Sequence, residues 1–425
     1  MRESFLHYVW KNQILDQDRL FINRDIKVEV VFPGYHNQNA GPDFLEAKIR
    51  IGDILWVGNV EIHLKSSDWY AHGHEEDEAY DNVILHVVHE DDIPVFDAQN
   101  KMLPTLNISR LIKKNVLKRY NGLIKNKSIL KCQNKVKEID PFLIFQYKYK
   151  LYFERLENKN DYFKKLLRKH KNDWEQVLYS QLLKYFGGSV NKDVFEDISH
   201  FLPFEIFRKY LHNVEQLEAL LLGVGGLLPD KKINTPYFEK LKKEFDFLAH
   251  KHGLKKLKPG SLRFHRMRPP GFPTIRLAQF AMLYHKAGNF FDKFINLETP
   301  HEAYELMGVT ASSFWDTHYH FEKSTKALKK KISQSFIDRL LINVLIPLKF
   351  AYLKNESNFE PEELVEFIEA IKPEKNRIVD IFTKIGINKY NALDTQAMVE
   401  LYNGYCTKER CLECDIGHFL LKSVE

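Results

Sequence analysis

Two stretches near the start of the chain carry side chains that could hydrolyse a phosphate ester. GPDF places Asp43 in front of an apolar run, and GNVEIHLK places Glu61, His63 and Lys65 at alternate positions. Because side chains alternate along a strand, an acid, an imidazole and an amine would share one face. Carboxylates bind Mg²⁺ or Mn²⁺, and a neighbouring base or cation can position water and stabilise developing negative charge. The two stretches therefore predict a metal-dependent site.

The segment after this strand adds two more candidates. YAHGHEED contains His72 and His74 in a His-x-His pair. Such a pair can bind a transition metal such as Zn²⁺, contact substrate phosphate at the mouth of a site, or belong to a solvated loop. The strand itself has a second interpretation, because alternation of this kind is also typical of an edge strand with a polar outer face.

The elements that would position these residues follow from the hydrophobic periodicity. Residues 3–15 predict an opening helix, and the predicted strands after it are 26–32, 43–51 and 54–65. Gly52-Asp53 predicts a tight hairpin between the second and third strands. A polar segment long enough for one short helix then leads to NVILHVVHE, a strand expected to be buried on both faces, and to two further short strands. Residues 1–108 are thus expected to form a compact α/β domain.

From residue 109 onward the period changes. Apolar residues recur at three- and four-residue spacing, so residues 109–425 predict a mainly helical domain closed by a cysteine cluster.

The distribution of charge also differs between the two parts of the chain. Residues 1–100 contain 8 Lys and Arg against 19 Asp and Glu, a net charge of −11, which leaves +17 for the remainder of a chain whose net charge is +6. An acidic domain suits a metal site, and a basic one suits nucleic acid, with DNA as the expected partner, although ordinary surface charge would look the same.

Composition bounds the class of protein. The chain has 425 residues, of which 44% are apolar and 28% charged. Its apolar runs are too short to span a bilayer, and MRESFLHYVWKNQ lacks the apolar core of a signal peptide. The expectation is a soluble, cytoplasmic protein without a membrane partner.

GPDF, followed 18 positions later by EIH, resembles the metal-binding core of the restriction-endonuclease-like PD-(D/E)xK nuclease superfamily. The helix and three strands around it match that fold. The resemblance implies that Asp43 and Glu61 bind Mg²⁺ or Mn²⁺ and that a lysine orients or activates water. His63 occupies that lysine's position, and Lys65, two residues on, could supply the cation. The expected fold class is therefore α+β, with an N-terminal restriction-endonuclease-like mixed α/β domain followed by a large mainly α-helical domain.

Over essentially its full length the chain also resembles a family of uncharacterised bacterial proteins. The matching stretches are FLHYVWK, GPDF, GNVEIHLKSSDW, LEALLLGVGGLL, RMRPPGFPTIRLAQ and the cysteine-rich segment near the C-terminus. This resemblance supports the domain layout and implies no activity.

Four cysteines indicate a second metal site. Cys406, Cys411 and Cys414 lie within nine residues, and Cys132 is the other cysteine of the chain. Clustering of this kind in a cytosolic protein favours metal over disulfides, with Cys132 or His418 as the fourth ligand. The arrangement is similar to the iron–sulfur staple of some RecB-type nucleases. Zn²⁺, an iron–sulfur centre and reduced structural thiols all stay open.

The segment SLRFHRMRPPGFPTIR is the candidate nucleic-acid contact. It carries Arg263, Arg266, Arg268 and Arg276 beside Phe264 and Phe272. Arginines on a Pro- and Gly-stiffened loop could bind phosphates while aromatic rings stack on bases. The same arginines could instead cap helices or pair with carboxylates inside the domain.

Together these features predict a metal-dependent nuclease, or a DNA-processing protein derived from one, that hydrolyses phosphodiester bonds. A non-catalytic nucleic-acid-binding or assembly protein on a degenerate nuclease fold is the second hypothesis, motivated by His63. The third is a metal-dependent hydrolase of another phosphoester, which would use His63, His72 and His74.

Overall fold

The computed structural model describes residues 1–23, 25–231, 233–356 and 360–422. The chain forms two compact units, one of Met1–Ile144 with Leu401–Glu425 and the other of Phe145–Glu400. The sequence placed the division at residue 108. In the structure, residues 109–144 and the C-terminal segment belong to the same unit as the strands.

The first unit is built around one mixed sheet. Its strands, within the described residues, are β1 (Phe21–Ile22), β2 (Ile26–Phe32), β3 (Tyr35–His36), β4 (Phe44–Ile51), β5 (Ile54–Lys65), β6 (Val83–Glu90) and β7 (Thr105–Asn107). The strand order is β1-β2-β4-β5-β6-β7, and β3 pairs with β4. β4 is antiparallel to both β2 and β5, whereas β6 runs parallel to β5 and β7 parallel to β6.

The β4–β5 hairpin sets the register of the sheet. Ile51 pairs with Ile54, so Gly52 and Asp53 form a two-residue connection, and Gly52 has the positive φ of 58° that such a turn requires. The bounds of β2, β4, β5 and β6 follow the predicted strands closely. Farther along, one strand, β7, and an isolated bridge between Phe96 and Met102 stand where two short strands were predicted.

Helices make up most of the remainder. Those of the described residues are α1 (Glu3–Lys11), α2 (Asp68–Ala71), α3 (Lys114–Lys125), α4 (Pro141–Lys169), α5 (Trp174–Phe186), α6 (Gly188–Phe201), α7 (Phe204–Phe207), α8 (Val214–Val224), α9 (Pro236–His252), α10 (Pro273–Ala287), α11 (Phe290–Ile295), α12 (Pro300–Met307), α13 (Gln334–Leu340), α14 (Ile346–Asn355), α15 (Pro361–Glu369), α16 (Arg377–Lys384), α17 (Ala392–Glu400) and α18 (Asp415–Lys422). Short 3₁₀ turns lie at Gln17–Arg19, His74–Glu76, Glu78–Tyr80, Val136–Glu138, Arg208–Tyr210, Pro269–Gly271 and Ser313–Asp316, and π-helical turns at Leu341–Leu345 and Leu401–Cys406.

The main core of the first unit lies on one face of the sheet. Phe5 and Val9 of α1 pack into the same apolar cluster as Val60 and Ile62 of β5. Leu421 of α18 joins this cluster, which ties the C-terminal segment to the sheet. Because residues alternate along β5, the side chains between these apolar ones, including Glu61 and His63, point to the opposite face.

A smaller apolar cluster covers part of that opposite face. Trp69 of α2 packs with Tyr80, Val83, Val95 and Leu103. This cluster holds the crossover between β5 and β6 against the sheet. Glu61 and His63 are therefore enclosed by the crossover rather than exposed as on an edge strand.

The second unit is helical. Its apolar core draws on helices from α4 to α17, and the π-helical turn Leu341–Leu345 is almost wholly buried within it. No helix in the described ranges combines the length and apolarity needed to cross a membrane.

Candidate metal centre

Asp43 and Glu61 lie side by side because β4 pairs with β5. The register places Phe44 opposite Val60, so Asp43 precedes β4 just where Glu61 follows on β5. The backbone N–H of Asp43 donates to Glu61 Oε2 at 3.0 Å, and that of Ile62 donates to Asp43 Oδ2 at 3.0 Å. One oxygen of each carboxylate is thus fixed by the main chain.

Three histidines gather around the other oxygen of Glu61. Glu61 Oε1 lies 3.5 Å from His63 Nε2 and 3.4 Å from His74 Nε2, and His63 Nε2 lies 3.1 Å from His72 Nδ1. Ligand atoms of the three histidines all lie within 4.8 Å of one another. Metal–ligand bonds of 2.0–2.1 Å in a tetrahedral site would separate neighbouring ligand atoms by about 3.3 Å. The observed separations are close to that value.

The crossover between β5 and β6 brings His72 and His74 to the site. At its start, Ser67 donates from both its backbone N–H and its hydroxyl to Asp92, at 2.9 and 2.8 Å. Gly73, between the two histidines, has a φ of 71°, a left-handed conformation that reverses the chain. The His74 ring then stacks on Tyr80 with centroids 3.8 Å apart. These contacts orient the His-x-His pair toward β5.

His86 supports His63 from the neighbouring strand. The parallel register places His86 opposite Glu61, and His63 Nδ1 lies 2.9 Å from His86 Nε2. If Nδ1 of His63 carries the proton, Nε2 keeps its lone pair facing Glu61 and His72, which is the form that binds a metal. His86 was not among the residues predicted from the sequence, although a histidine inside the apolar run ILHVV was a visible signal.

Helix α1 supplies two further residues that the sequence analysis missed. His7 Nε2 lies 3.2 Å from Asp43 Oδ2 and 3.6 Å from Glu3 Oε1. Glu3 and His7 are one helical turn apart, and this i, i+4 spacing on a predicted helix could have drawn attention to them. Their link to Asp43 depends on how α1 crosses the sheet, which the sequence does not reveal.

Burial shifts the pKa of several groups in the cluster. Burial, reinforced by the neighbouring histidines, lowers the pKa of His63 to about 2, and burial likewise lowers the pKa of His86 to about 4. Burial raises the pKa of Glu61. Burial by itself lowers the pKa of His7, but the contact with Asp43 and the Glu3 carboxylate outweigh it, so that pKa is raised.

Buried nitrogen atoms of three histidines, His7 Nε2, His74 Nε2 and His86 Nδ1, lack a well-aligned hydrogen bond among the described residues. His7 Nε2 still lies 3.2 Å from Asp43 Oδ2, and His74 Nε2 lies 3.4 Å from Glu61 Oε1. Buried polar atoms are nearly always paired, and an ion beside His74 would give its Nε2 a partner. A set of imidazoles with a carboxylate suits Zn²⁺ or Mn²⁺ better than Mg²⁺, which prefers oxygen ligands. The residues therefore fit a transition-metal ion.

Lys65 and the predicted arginines lie elsewhere. The Lys65 ammonium is exposed and 3.5 Å from Glu90, so it has a partner outside the carboxylate–imidazole cluster. Arg263, Arg266 and Arg268 are exposed in the second unit. Arg276, predicted on the same loop, instead lies in α10, where its guanidinium stacks 3.6 Å above the ring of Phe336 and donates to Gln279.

The predicted cysteines do come together. Cys132, Cys406, Cys411 and Cys414 line one cavity in the first unit. They belong to a site separate from the histidines.

Comparison with known proteins gives one match. The chain belongs to the family described as "Protein of unknown function (DUF2851)", whose model matches residues 3–377. No curated protein and no solved structure matches the chain. The matched range contains the histidines and carboxylates of the candidate centre but ends before Cys406. The family description gives no activity, so the function has to be inferred from the geometry of the site.

Proposed function

We propose that the chain is a metal-dependent nuclease that hydrolyses phosphodiester bonds. The observation that carries this proposal is the convergence of Asp43, Glu61, His63, His72 and His74 on one cluster, which is buried at Glu61 and His63 and open to solvent at His72. The surrounding order of helix, antiparallel β2, β4 and β5, crossover and parallel β6 agrees with the restriction-endonuclease-like fold that the motif resembles. Likeness of fold is a weaker support than the cluster, because one fold can host many activities.

In this proposal His63, His72, His74 and Glu61 hold the ion, and Asp43 stands beside them as a further carboxylate. A divalent ion in that position supplies a Lewis acid for a phosphoryl oxygen and lowers the pKa of bound water. His86 orients the His63 ring through Nδ1. His7 holds Asp43 in place and can keep a proton at Nε2, and the crossover with Trp69 and Tyr80 limits the access of bulk water.

The second unit offers a surface for the phosphates. A cavity of about 390 Å³ is lined by four basic and two aromatic side chains, Arg155, Lys159, Lys184, Lys192, Tyr162 and Tyr185, together with Asn158, Gln181 and Glu400. Lys184 pairs with Glu196 at 2.7 Å, whereas Lys159 contacts the Tyr185 hydroxyl and Lys192 lies 4.0 Å from that ring's centroid. Cations beside tyrosine rings suit phosphates and bases, so nucleic acid, and DNA first, is the proposed substrate.

A specific observation favours the second candidate, a nucleic-acid-binding protein without catalysis. The superfamily's lysine is replaced by the buried His63, and the nearby Lys65 is engaged with Glu90. The third candidate, hydrolysis of another phosphoester, would use the same histidines on a smaller substrate.

The test is a cleavage assay on plasmid, linear and single-stranded DNA and on RNA, with Mg²⁺, Mn²⁺ or Zn²⁺. Wild type is compared with Asp43→Ala/Glu61→Ala and with a control, His89→Ala, which changes another histidine of β6. Cleavage by wild type and the control, lost in the double variant, is the expected result. If wild type cuts nothing but shifts DNA in a gel, the binding protein replaces the nuclease. Turnover of a small phosphodiester alone would favour the third candidate.

A further inference from the structure

Four cysteines from distant parts of the chain meet in the first unit. Cys132 lies in a turn after α3, Cys406 ends the π-helical turn Leu401–Cys406, and Cys411 and Cys414 precede α18. All four line a cavity of about 20 Å³, more than the roughly 10–15 Å³ that a single water needs. The convergence depends on the tertiary fold, because Cys132 is far from the others in sequence.

Neighbouring residues stabilise this arrangement of the four cysteines. Glu409, in the loop between Cys406 and Cys411, has a left-handed φ of 55°, and its carboxylate reaches Lys131 at 3.1 Å. Lys131 precedes Cys132, so this ion pair joins the two cysteine-bearing segments. Gly417 of α18 also lines the cavity, and a Cβ there would lie 1.9 Å from the carbonyl oxygen of Cys411. Glycine is thus required for the loop to pack on the helix.

The structure distinguishes between the two candidates for a fourth ligand. His418 Nδ1 lies 3.1 Å from the Tyr8 hydroxyl, which directs its ring toward α1. Cys132 lines the cavity with the other three cysteines. The ligand set is therefore four thiols rather than three thiols and an imidazole.

No disulfide joins any two of these cysteines, all of which lie in described parts of the chain. Thiols lose their protons when a metal binds them, so four cysteines that line one cavity can serve together as thiolate ligands.

We propose that Cys132, Cys406, Cys411 and Cys414 bind an iron–sulfur cluster. With Zn–S bonds of 2.3 Å, a tetrahedral Zn²⁺ site holds its sulfur atoms about 3.8 Å apart. Among the described residues, three histidines form a group whose ligand atoms all lie within 4.8 Å of one another, and no three of the cysteines form such a group, which favours a cluster over a single Zn²⁺. A cluster places several iron and sulfide ions between the thiolates and so holds them farther apart.

The cluster would fasten the C-terminal segment to the sheet unit. It bridges the turn after α3 and the loop before α18, and α18 packs on the same apolar core as α1. This role is structural and independent of the proposed nuclease activity, which uses other residues.

The experiment is metal analysis of the full-length protein purified without oxygen from cells supplied with iron. Wild type is expected to be coloured in visible light and to contain iron and acid-labile sulfide in equal amounts, several of each per chain. One Zn²⁺ per chain without iron would overturn the cluster, and no bound metal of either kind would overturn the site.

Variants identify the ligands. Cys132→Ser and Cys411→Ser are expected to lose the colour and most of the iron, whereas His418→Gln keeps them. Thr407→Ala, in the same loop but outside the cavity, is the matched control. If the cysteine variants do not fold, removal of iron from wild type and its reconstitution with iron and sulfide replaces them. Full iron content in Cys132→Ser with loss in His418→Gln would contradict the four-cysteine assignment.

Discussion

At the scale of single residues, His63 has the environment of a ligand rather than of a substitute for lysine. Its side chain is 1% exposed and contacts Glu61, His72 and His86. A lysine at this position would bring a charge into a buried place, whereas a neutral imidazole brings a lone pair. The departure from the nuclease pattern therefore accompanies a change in the kind of metal that the site fits.

Substitution of the cluster's histidines should show this directly. His63→Ala is expected to abolish measurable binding of Zn²⁺ and Mn²⁺, because it removes a central ligand. His86→Ala, which removes only the partner of Nδ1, should weaken binding by about 10–100-fold. Calorimetric titration of metal-free protein measures both, with His89→Ala as the control. Equal affinity in His63→Ala and wild type would contradict the assignment.

Glu218 in α8 provides a prediction about pH. Its carboxyl is fully buried, accepts hydrogen bonds from Tyr237 and Trp315 at Oε2, and has an unpaired Oε1. Burial raises its pKa above the ordinary 4.5. The folded state therefore binds this proton more tightly than the unfolded state, and the stability it contributes is lost as the pH rises from about 4.5 through the folded-state pKa.

Glu218→Gln should remove that dependence. The melting temperature of the variant minus that of wild type is expected to increase between pH 5 and pH 8, by about 2 °C if the ionised group costs about 1 kcal/mol in a unit of this size. Scanning calorimetry at several pH values measures it, and the comparison cancels groups common to both proteins. A difference that stays constant with pH would show that Glu218 does not titrate in this range.

At the scale of elements, the strands could be predicted and the packing of the site could not. Alternation and the Gly52-Asp53 turn fixed β4 and β5, and with them Asp43 and Glu61 on adjacent strands. The partners His7 and His86 come from α1 and β6, whose contacts depend on helix crossing and on parallel register. Neither the crossing of α1 over the sheet nor the register of β6 has a local sequence signal, because both are decided by the burial of whole faces of the helix and the sheet.

A buried ion pair joins α4 and α17 in the second unit. Lys148 and Asp394 are 7% and 4% exposed and are in direct contact, and Asp394 also accepts from the backbone N–H of Tyr390 at 2.7 Å. Lys148→Met leaves a buried carboxylate without its cation and should lower the free energy of unfolding by about 3–5 kcal/mol. Lys148→Met/Asp394→Leu should recover most of that loss. Urea unfolding followed by circular dichroism measures the free energy of unfolding of both variants. An equal loss in the single and the double variant would contradict the pairing.

At the scale of the whole molecule, the first unit is discontinuous in sequence. A division at residue 108 follows naturally from the change in apolar period, but α3, the Cys132 turn and α18 pack with the sheet. Periodicity identifies the type of an element and not its neighbours. The return of the C-terminal segment was suggested only by the cysteines, for which the distant Cys132 was one of two candidate fourth ligands and the adjacent His418 the other.

Fragments should reproduce this division. Residues 145–400 alone are expected to fold into a helical protein with a cooperative thermal transition, because their apolar core is their own. Residues 1–144 alone should unfold more readily than the same residues joined by a linker to 401–422. Circular dichroism melts compare the three. Identical melts for the two sheet-containing fragments would show that the C-terminal segment adds nothing to that unit.

The contact between Tyr8 and His418 has a consequence for biosynthesis. A ribosome adds about 5–20 residues per second, so α1 waits on the order of tens of seconds for α18 to be made. During that time the entire second unit emerges and can fold. The part of the protein that is translated first is therefore completed last, and its exposed apolar surface is where a chaperone would be needed.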